Sequence, residues 1–295
     1  MMNMVKSRWA AVGLVLAVWG MGWAMGGNDQ LQAQPAKKAR ILMVTVSKTF
    51  THNPVKRTKE TLAPSEIAVT QLGQMSGLFT VDCTQDPAKD FTPENLKNYD
   101  IVFFYTQGPD LEIPKANMEY FLNTWLKQKG HGFVATHSST DTYGEYEPYW
   151  DMIGGTFNGH PWNAGDTVTI SVHDTKHPAS KMWGTEFSIK DEIYQYKHWQ
   201  PEKVHVLMSL NMAKCGLKKP YHVPVAWVKN YGDGRIFYTN LGHNTETWTN
   251  NKQFIESLLG GIKWVLGMEP GDATPNPEVS QAQEEKAKAD AGDAK

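Results

Sequence analysis

Two apolar runs in this chain lead into a histidine: Gly132-Phe-Val-Ala-Thr-His137-Ser-Ser-Thr-Asp141 and Arg235-Ile-Phe-Tyr-Thr-Asn-Leu-Gly-His243-Asn-Thr-Glu246. A third histidine, His52, follows the apolar run Ile41–Val46. Near neutral pH an imidazole can act as acid, base, hydrogen-bonding group or metal ligand. In an open parallel sheet, ligands bind in the crevice beyond the carboxyl ends of the strands. If the three strands are neighbours, their histidines converge at one sheet edge. The expected chemistry is proton transfer, with His137 or His243 as acid or base and Asp141 or Glu246 orienting the ring. His52, His160, Asp191 and Glu192 would hold substrate or complete the site, and Tyr194, Trp162 and Trp248 would stack on a ring-shaped ligand. The bland alternative is that each loop histidine, and the Asp191-Glu192 pair, is simply solvated or hydrogen-bonded.

Other chemistries fit less well. Ser138 and Ser139 follow a strand, as a nucleophile would, but Thr136 and Thr140 stand where Gly-x-Ser-x-Gly needs glycines to relieve the turn. His137, Asp141, His160 and His243 could bind zinc or a similar ion, although no His-x-x-x-His or His-Glu-x-x-His spacing occurs. No cofactor is expected; a divalent metal is the open option. Gly154-Gly155 and Gly260-Gly261 lack the context of a phosphate loop. Formal net charge is -2, so no basic surface argues for nucleic acid.

The elements that must position these groups alternate. Short apolar runs at 41–46, 79–83, 100–105 and 132–136 read as buried strands. Helical patterns lie between them at 55–75, where Pro64 threatens continuity, and at 113–128. This rhythm predicts an α/β fold with a doubly wound, mostly parallel sheet. The second half adds strands at 167–172, 186–189, 204–210, 224–229 and 235–239, the last two joined by the hairpin signal Asn230-Tyr-Gly-Asp-Gly234. A final helix is expected over 252–266.

Both ends read differently. Lys6 and Arg8 precede an apolar run from Trp9 to Met25 and then small and polar residues, the pattern of an export signal over 1–34. Cleavage would leave a periplasmic or secreted protein with no membrane attachment; an uncleaved anchor is the alternative. The domain spans 39–267, and the segment 268–295, rich in Ala, Pro, Glu, Asp and Lys, is expected to be disordered. Cys83 and Cys215, the only cysteines, could pair in an exported protein.

The blocks Thr51-His52-Asn53, Gly132–Asp141, Gly154-Gly-Thr-Phe-Asn-Gly-His-Pro161, Asp191-Glu-Ile-Tyr194, Pro224-Val-Ala-Trp227 and Tyr231 to His243 together resemble the ThuA-like (trehalose utilisation) family. That resemblance implies a class I glutamine-amidotransferase-like fold and a sugar as the small-molecule partner, in particular a 3-keto derivative of a disaccharide such as trehalose. In the wider amidotransferase-like group a cysteine occupies the turn after a central strand, with a histidine–glutamate pair after a late strand. Here the turn carries His137-Ser138, so glutamine hydrolysis is not expected. His243 and Glu246 look similar to the late pair, offset by one residue. A non-catalytic carbohydrate-binding accessory protein and a metal-assisted hydrolase are the rival readings.

Overall fold

A computed structural model describes residues 37–59 and 61–293; the leader read at the amino terminus lies outside them. The strands are β1 (Ala39–Val44), β2 (Phe79–Thr84), β3 (Ile101–Phe104), β4 (Gly132–Thr136), β5 (Thr156–Phe157), β6 (Thr167–Val172), β7 (Glu186–Lys190), β8 (Tyr196–Lys197), β9 (His205–Leu210), β10 (Pro224–Tyr231) and β11 (Gly234–Thr239). Nine of them form one sheet in the order β2-β1-β3-β4-β11-β10-β9-β6-β7, and β5 pairs with β8 separately. From β2 to β11 every pairing is parallel; from β11 to β7 every pairing is antiparallel. The α/β reading with antiparallel strands added in the second half is therefore what the chain adopts.

Successive side chains of a strand point to opposite faces, and both faces of this sheet are covered. Ile41 and Met43 of β1 enter one apolar cluster, with Val69, Leu258 and Ile262. Leu42 and Val44 enter another, with Phe121, Trp125, Tyr149 and Ile153. This double burial explains why the strand sequences are continuously apolar rather than alternating. Helices Pro64–Ser76 and Lys252–Val265 pack on the first face. Pro64 does not interrupt the first of these helices; it starts it, at the position where a missing N–H costs nothing. The helix expected over 113–128 runs as Lys115–Tyr120 and continues into a wider turn over Phe121–Trp125.

The stretch beyond Gly267, expected to be disordered, instead contains helix Pro277–Asp290. Its composition is low in apolar residues but high in helix formers, and it docks through a narrow stripe. Asn276, Ser280 and Ala287 are buried. The Asn276 side chain accepts from Val206 N at 2.7 Å and donates to Val206 O at 3.1 Å. Cys83 lies on β2, and Cys215 contacts β6 through its Sγ and Thr169. About seven inter-strand spacings, on the order of 30 Å, separate those strands, far beyond the reach of a disulfide. Both thiols are free. Among the described residues no helix is long and apolar enough to cross a membrane.

Candidate functional site

His137 begins where β4 ends, and its backbone sits in the left-handed region at φ 42°. Such a conformation is uncommon for a residue with a Cβ and must be held by its surroundings. Two contacts hold it. Its Nδ1 lies 2.8 Å from Asn240 O, and its carbonyl accepts from the Tyr238 hydroxyl at 2.8 Å. Because a carbonyl only accepts, Nδ1 carries the hydrogen and Nε2 turns inward with its lone pair. That Nε2 is 3.1 Å from His243 Nδ1.

His243 is delivered by the loop after β11. Gly242, at φ 119°, permits the sharp bend, and a side chain there would press on the Trp248 ring. Asp191 fixes this loop from below, accepting from Gly242 N at 2.8 Å, Asn244 N at 3.0 Å and the Thr247 hydroxyl at 3.3 Å. Burial raises the Asp191 carboxyl above its ordinary range, against the pull of His137 and these N–H groups. Asp191 is thus a brace under the site, not a group that meets substrate.

Glu192 is the hub. Its Oε1 lies 3.0 Å from His243 Nδ1 and 3.6 Å from His137 Nε2, and its Oε2 lies 3.3 Å from His160 Nδ1. Burial acts to raise this carboxyl, but the pull of the neighbouring His137 and His243 outweighs it and holds the group well below the usual carboxylate range. His52 completes the inner group, with ring centroids 4.9 Å from His137 and 5.0 Å from His243. Burial, then the neighbouring imidazoles, push its pKa down to about 2, so its ring is neutral. The Tyr194 hydroxyl approaches His52 Nε2 at 3.2 Å, and burial holds this phenol far above its ordinary range. One donor atom from each of His52, His137, Glu192 and His243 can be chosen so that all four lie within 4.8 Å of one another. These four groups could hold a metal ion.

The convergence expected of His52, His137, His160 and His243 is present; several expected roles are not. Glu246 is exposed on the short helix Thr245–Thr249 and lines a different cleft, with Ile189 and Lys190. Asp141 is spent on Gln107, whose Nε2 donates at 2.8 Å, and burial raises its carboxyl. It lines a neighbouring cleft of about 610 Å³ with Thr49, Tyr146, Phe157 and Lys197. Trp248 and Trp162 are buried rather than free to stack on a ligand. Trp248 donates to Gly242 O at 2.8 Å and so supports the His243 loop, while Trp162 donates to Cys215 O at 2.9 Å. Tyr194 packs against His137, with centroids 4.3 Å apart, instead of presenting its face to solvent. Ser139 Oγ donates to Phe104 O and Thr136 O, and Ser138 Oγ is buried without a partner, so neither is poised as a nucleophile.

Asn240 escaped the sequence reading. Its side chain accepts from Tyr194 N and donates to Tyr194 O, while its carbonyl orients His137. A lone amide at the end of the apolar run Ile236–Thr239 was the available signal.

The trehalose utilisation (ThuA) family model matches residues 40–265. The chain belongs to the ThuA family. A putative ThuA-like protein from Bacteroides uniformis superposes with TM-score 0.60 at 22% identity, over 84% of this chain and 99% of that one. One from Parabacteroides merdae gives 0.59 at 18%, over 82% and 99%. A cytoplasmic protein from Salmonella typhimurium gives 0.53 at 9%, over 76% and 98%. At these identities the likeness is one of fold, the class I glutamine-amidotransferase-like fold of the ThuA family. No curated protein matches the chain.

Proposed function

We propose that this ThuA protein is exported and acts on an oxidised sugar or glycoside, with His160 transferring the proton and Glu192 orienting it. One observation carries the assignment. Of the imidazoles around Glu192, only His160 has a largely accessible side chain, 45% exposed against 18% for His243 and 0% for His137. It stands next to Phe157, which lines the Asp141 cleft, so a ligand in that cleft lies beside it.

Glu192 contacting His160 Nδ1 favours the tautomer with hydrogen on that nitrogen, leaving Nε2 free to accept a proton. A carbonyl beside a C–H bond makes that hydrogen acidic enough for an imidazole base. Abstraction and return of the proton at a different atom gives isomerisation; loss of a neighbouring oxygen substituent gives elimination. Glu192, kept ionised by His137 and His243, stabilises the imidazolium as it forms. The sugar itself is suggested by the family's link to trehalose utilisation.

Turnover of 3-keto-trehalose by His160→Ala and Glu192→Gln tests this reading. A positioned acid–base group contributes roughly 10² to 10⁴ in rate, and each variant is expected to lose on that order in kcat. Unchanged turnover in both removes the assignment. Sugar binding without product in the unaltered protein would make it a carbohydrate-binding accessory protein instead.

A further inference from the structure

Glu192 spends only one oxygen on His160. The other faces a closed group of three imidazoles, a richer arrangement than orienting one histidine requires. We propose that His52, His137, Glu192 and His243 form a binding site for a single divalent transition-metal ion of the zinc class.

The donor set argues for this ion. Three imidazole nitrogens with one carboxylate oxygen suit zinc and its neighbours, whereas magnesium and calcium take oxygen ligands. The spacing agrees. A tetrahedral ion with bonds of about 2.1 Å sets its ligands roughly 3.4 Å apart; here the four donor atoms lie within 4.8 Å of one another, and His137 Nε2, His243 Nδ1 and Glu192 Oε1 already stand 3.0 to 3.6 Å apart. Small side-chain rotations close the remainder.

The surroundings argue for it too. The Nδ1–H of His137 is tied to a backbone carbonyl, which fixes the tautomer and aims Nε2 inward, as the outer partners of metal-bound histidines do. Asp191 and Trp248 brace the His243 loop. His52 keeps Nδ1 buried with no hydrogen-bond partner, an unspent capacity in a site where every other imidazole is engaged. The ligands lie on the segments that follow β1, β4, β7 and β11, so the topology of the sheet gathers the set at one rim. The donors differ from the set read in the sequence: His52 and Glu192 belong to it, and Asp141 and His160 do not. Only the role of His160 rests on the carbohydrate reading; the ion does not.

Chelator-stripped full-length protein titrated with zinc chloride, followed by equilibrium dialysis and elemental analysis, tests the site. About one zinc per chain is expected, with a rise in thermal midpoint on zinc addition. Cobalt(II), used as a second probe, should give the absorption of a four-coordinate ion. His52→Ala, His243→Ala and the near-isosteric Glu192→Gln should each weaken zinc binding at least tenfold. His198→Ala, at an exposed ring stacked on Trp150, should leave it unchanged. Absence of stoichiometric uptake by the unaltered protein overturns the proposal, as does unaltered affinity in the Glu192→Gln and His243→Ala variants. Zinc uptake without sugar turnover supports the site and removes the carbohydrate reading. Turnover by protein that takes up no zinc does the reverse.

Discussion

Glu192 reaches histidines from three other segments, while its backbone neighbour, Asp191, braces the loop that carries one of them. Asp191 accepts three hydrogen bonds from the His243 loop, and a buried donor left without its acceptor costs about 1–3 kcal/mol. Asp191→Ala should therefore destabilise the fold by about 3 kcal/mol or more, seen as a lower urea midpoint. Amide exchange at Gly242 and Asn244 should accelerate at the same time. At this scale the histidines were legible, since a polar ring just past an apolar strand has few structural reasons to be there. Glu192 was legible as a site residue, but not which of the four acids, Asp141, Asp191, Glu192 or Glu246, would orient the rings. Asp141 and Glu246 were expected to serve because they stand four and three residues after a histidine. Both lie on short helical turns that carry them elsewhere, and the working carboxylate arrives from β7, more than fifty residues from His243 in sequence. Pairing across that distance is set by packing, which leaves no local trace. The tryptophans misled for a similar reason: residues in loop-like sequence were buried by loops that fold back on the domain.

Among the elements, the strands of the large sheet were readable to within about two residues, because a short apolar run closed at both ends by polar turns is the length of a buried strand and too brief for a core helix. The two-residue strands β5 and β8 were not. Helix Lys252–Val265 was also evident, but the reason for its paired glycines was not. A methyl at Gly261 would lie 2.1 Å from the Phe237 ring, and one at Gly260 would lie 1.9 Å from Pro178 O. Gly261 lets the helix lie close against the sheet, and Gly260 lets the loop at Pro178 close over it. Gly261→Ala should thus lose about 1–3 kcal/mol by overpacking, despite the gain of about 1 kcal/mol in helix propensity; a drop in thermal midpoint checks it. The carboxyl-terminal helix was missed because its apolar content is low, and its anchor is polar. Asn276→Ala leaves Val206 N–H and C=O without their side-chain partner. That change should cost about 1–3 kcal/mol and make the helix an early target for limited proteolysis.

For the molecule as a whole, acid should be the weak side of the stability profile. Burial lowers the pKa of His177 from 6.5 to about 4 and that of His222 to about 3. Below pH 6.5 the unfolded chain binds protons that the folded chain refuses, so stability is complete above 6.5 and falls toward pH 4. For His177 alone the loss approaches about 3 kcal/mol. The urea midpoint should be lower at pH 5 than at pH 7, and the difference should shrink in His177→Gln. A midpoint that does not move between these values would contradict this.

The alternation of strand direction from β11 to β7 has an arithmetic consequence. Four reversals separate the two strands, and an even number returns β7 to the same sense as β11. Its outgoing end therefore opens onto the rim that already carries the three imidazoles. Adding or deleting a complete hairpin in this half would preserve that delivery, whereas gaining or losing a single strand would send the carboxylate to the far side of the molecule. The antiparallel half is thus free to vary in twos, and a relative whose count is odd would have to recruit its acid from another segment.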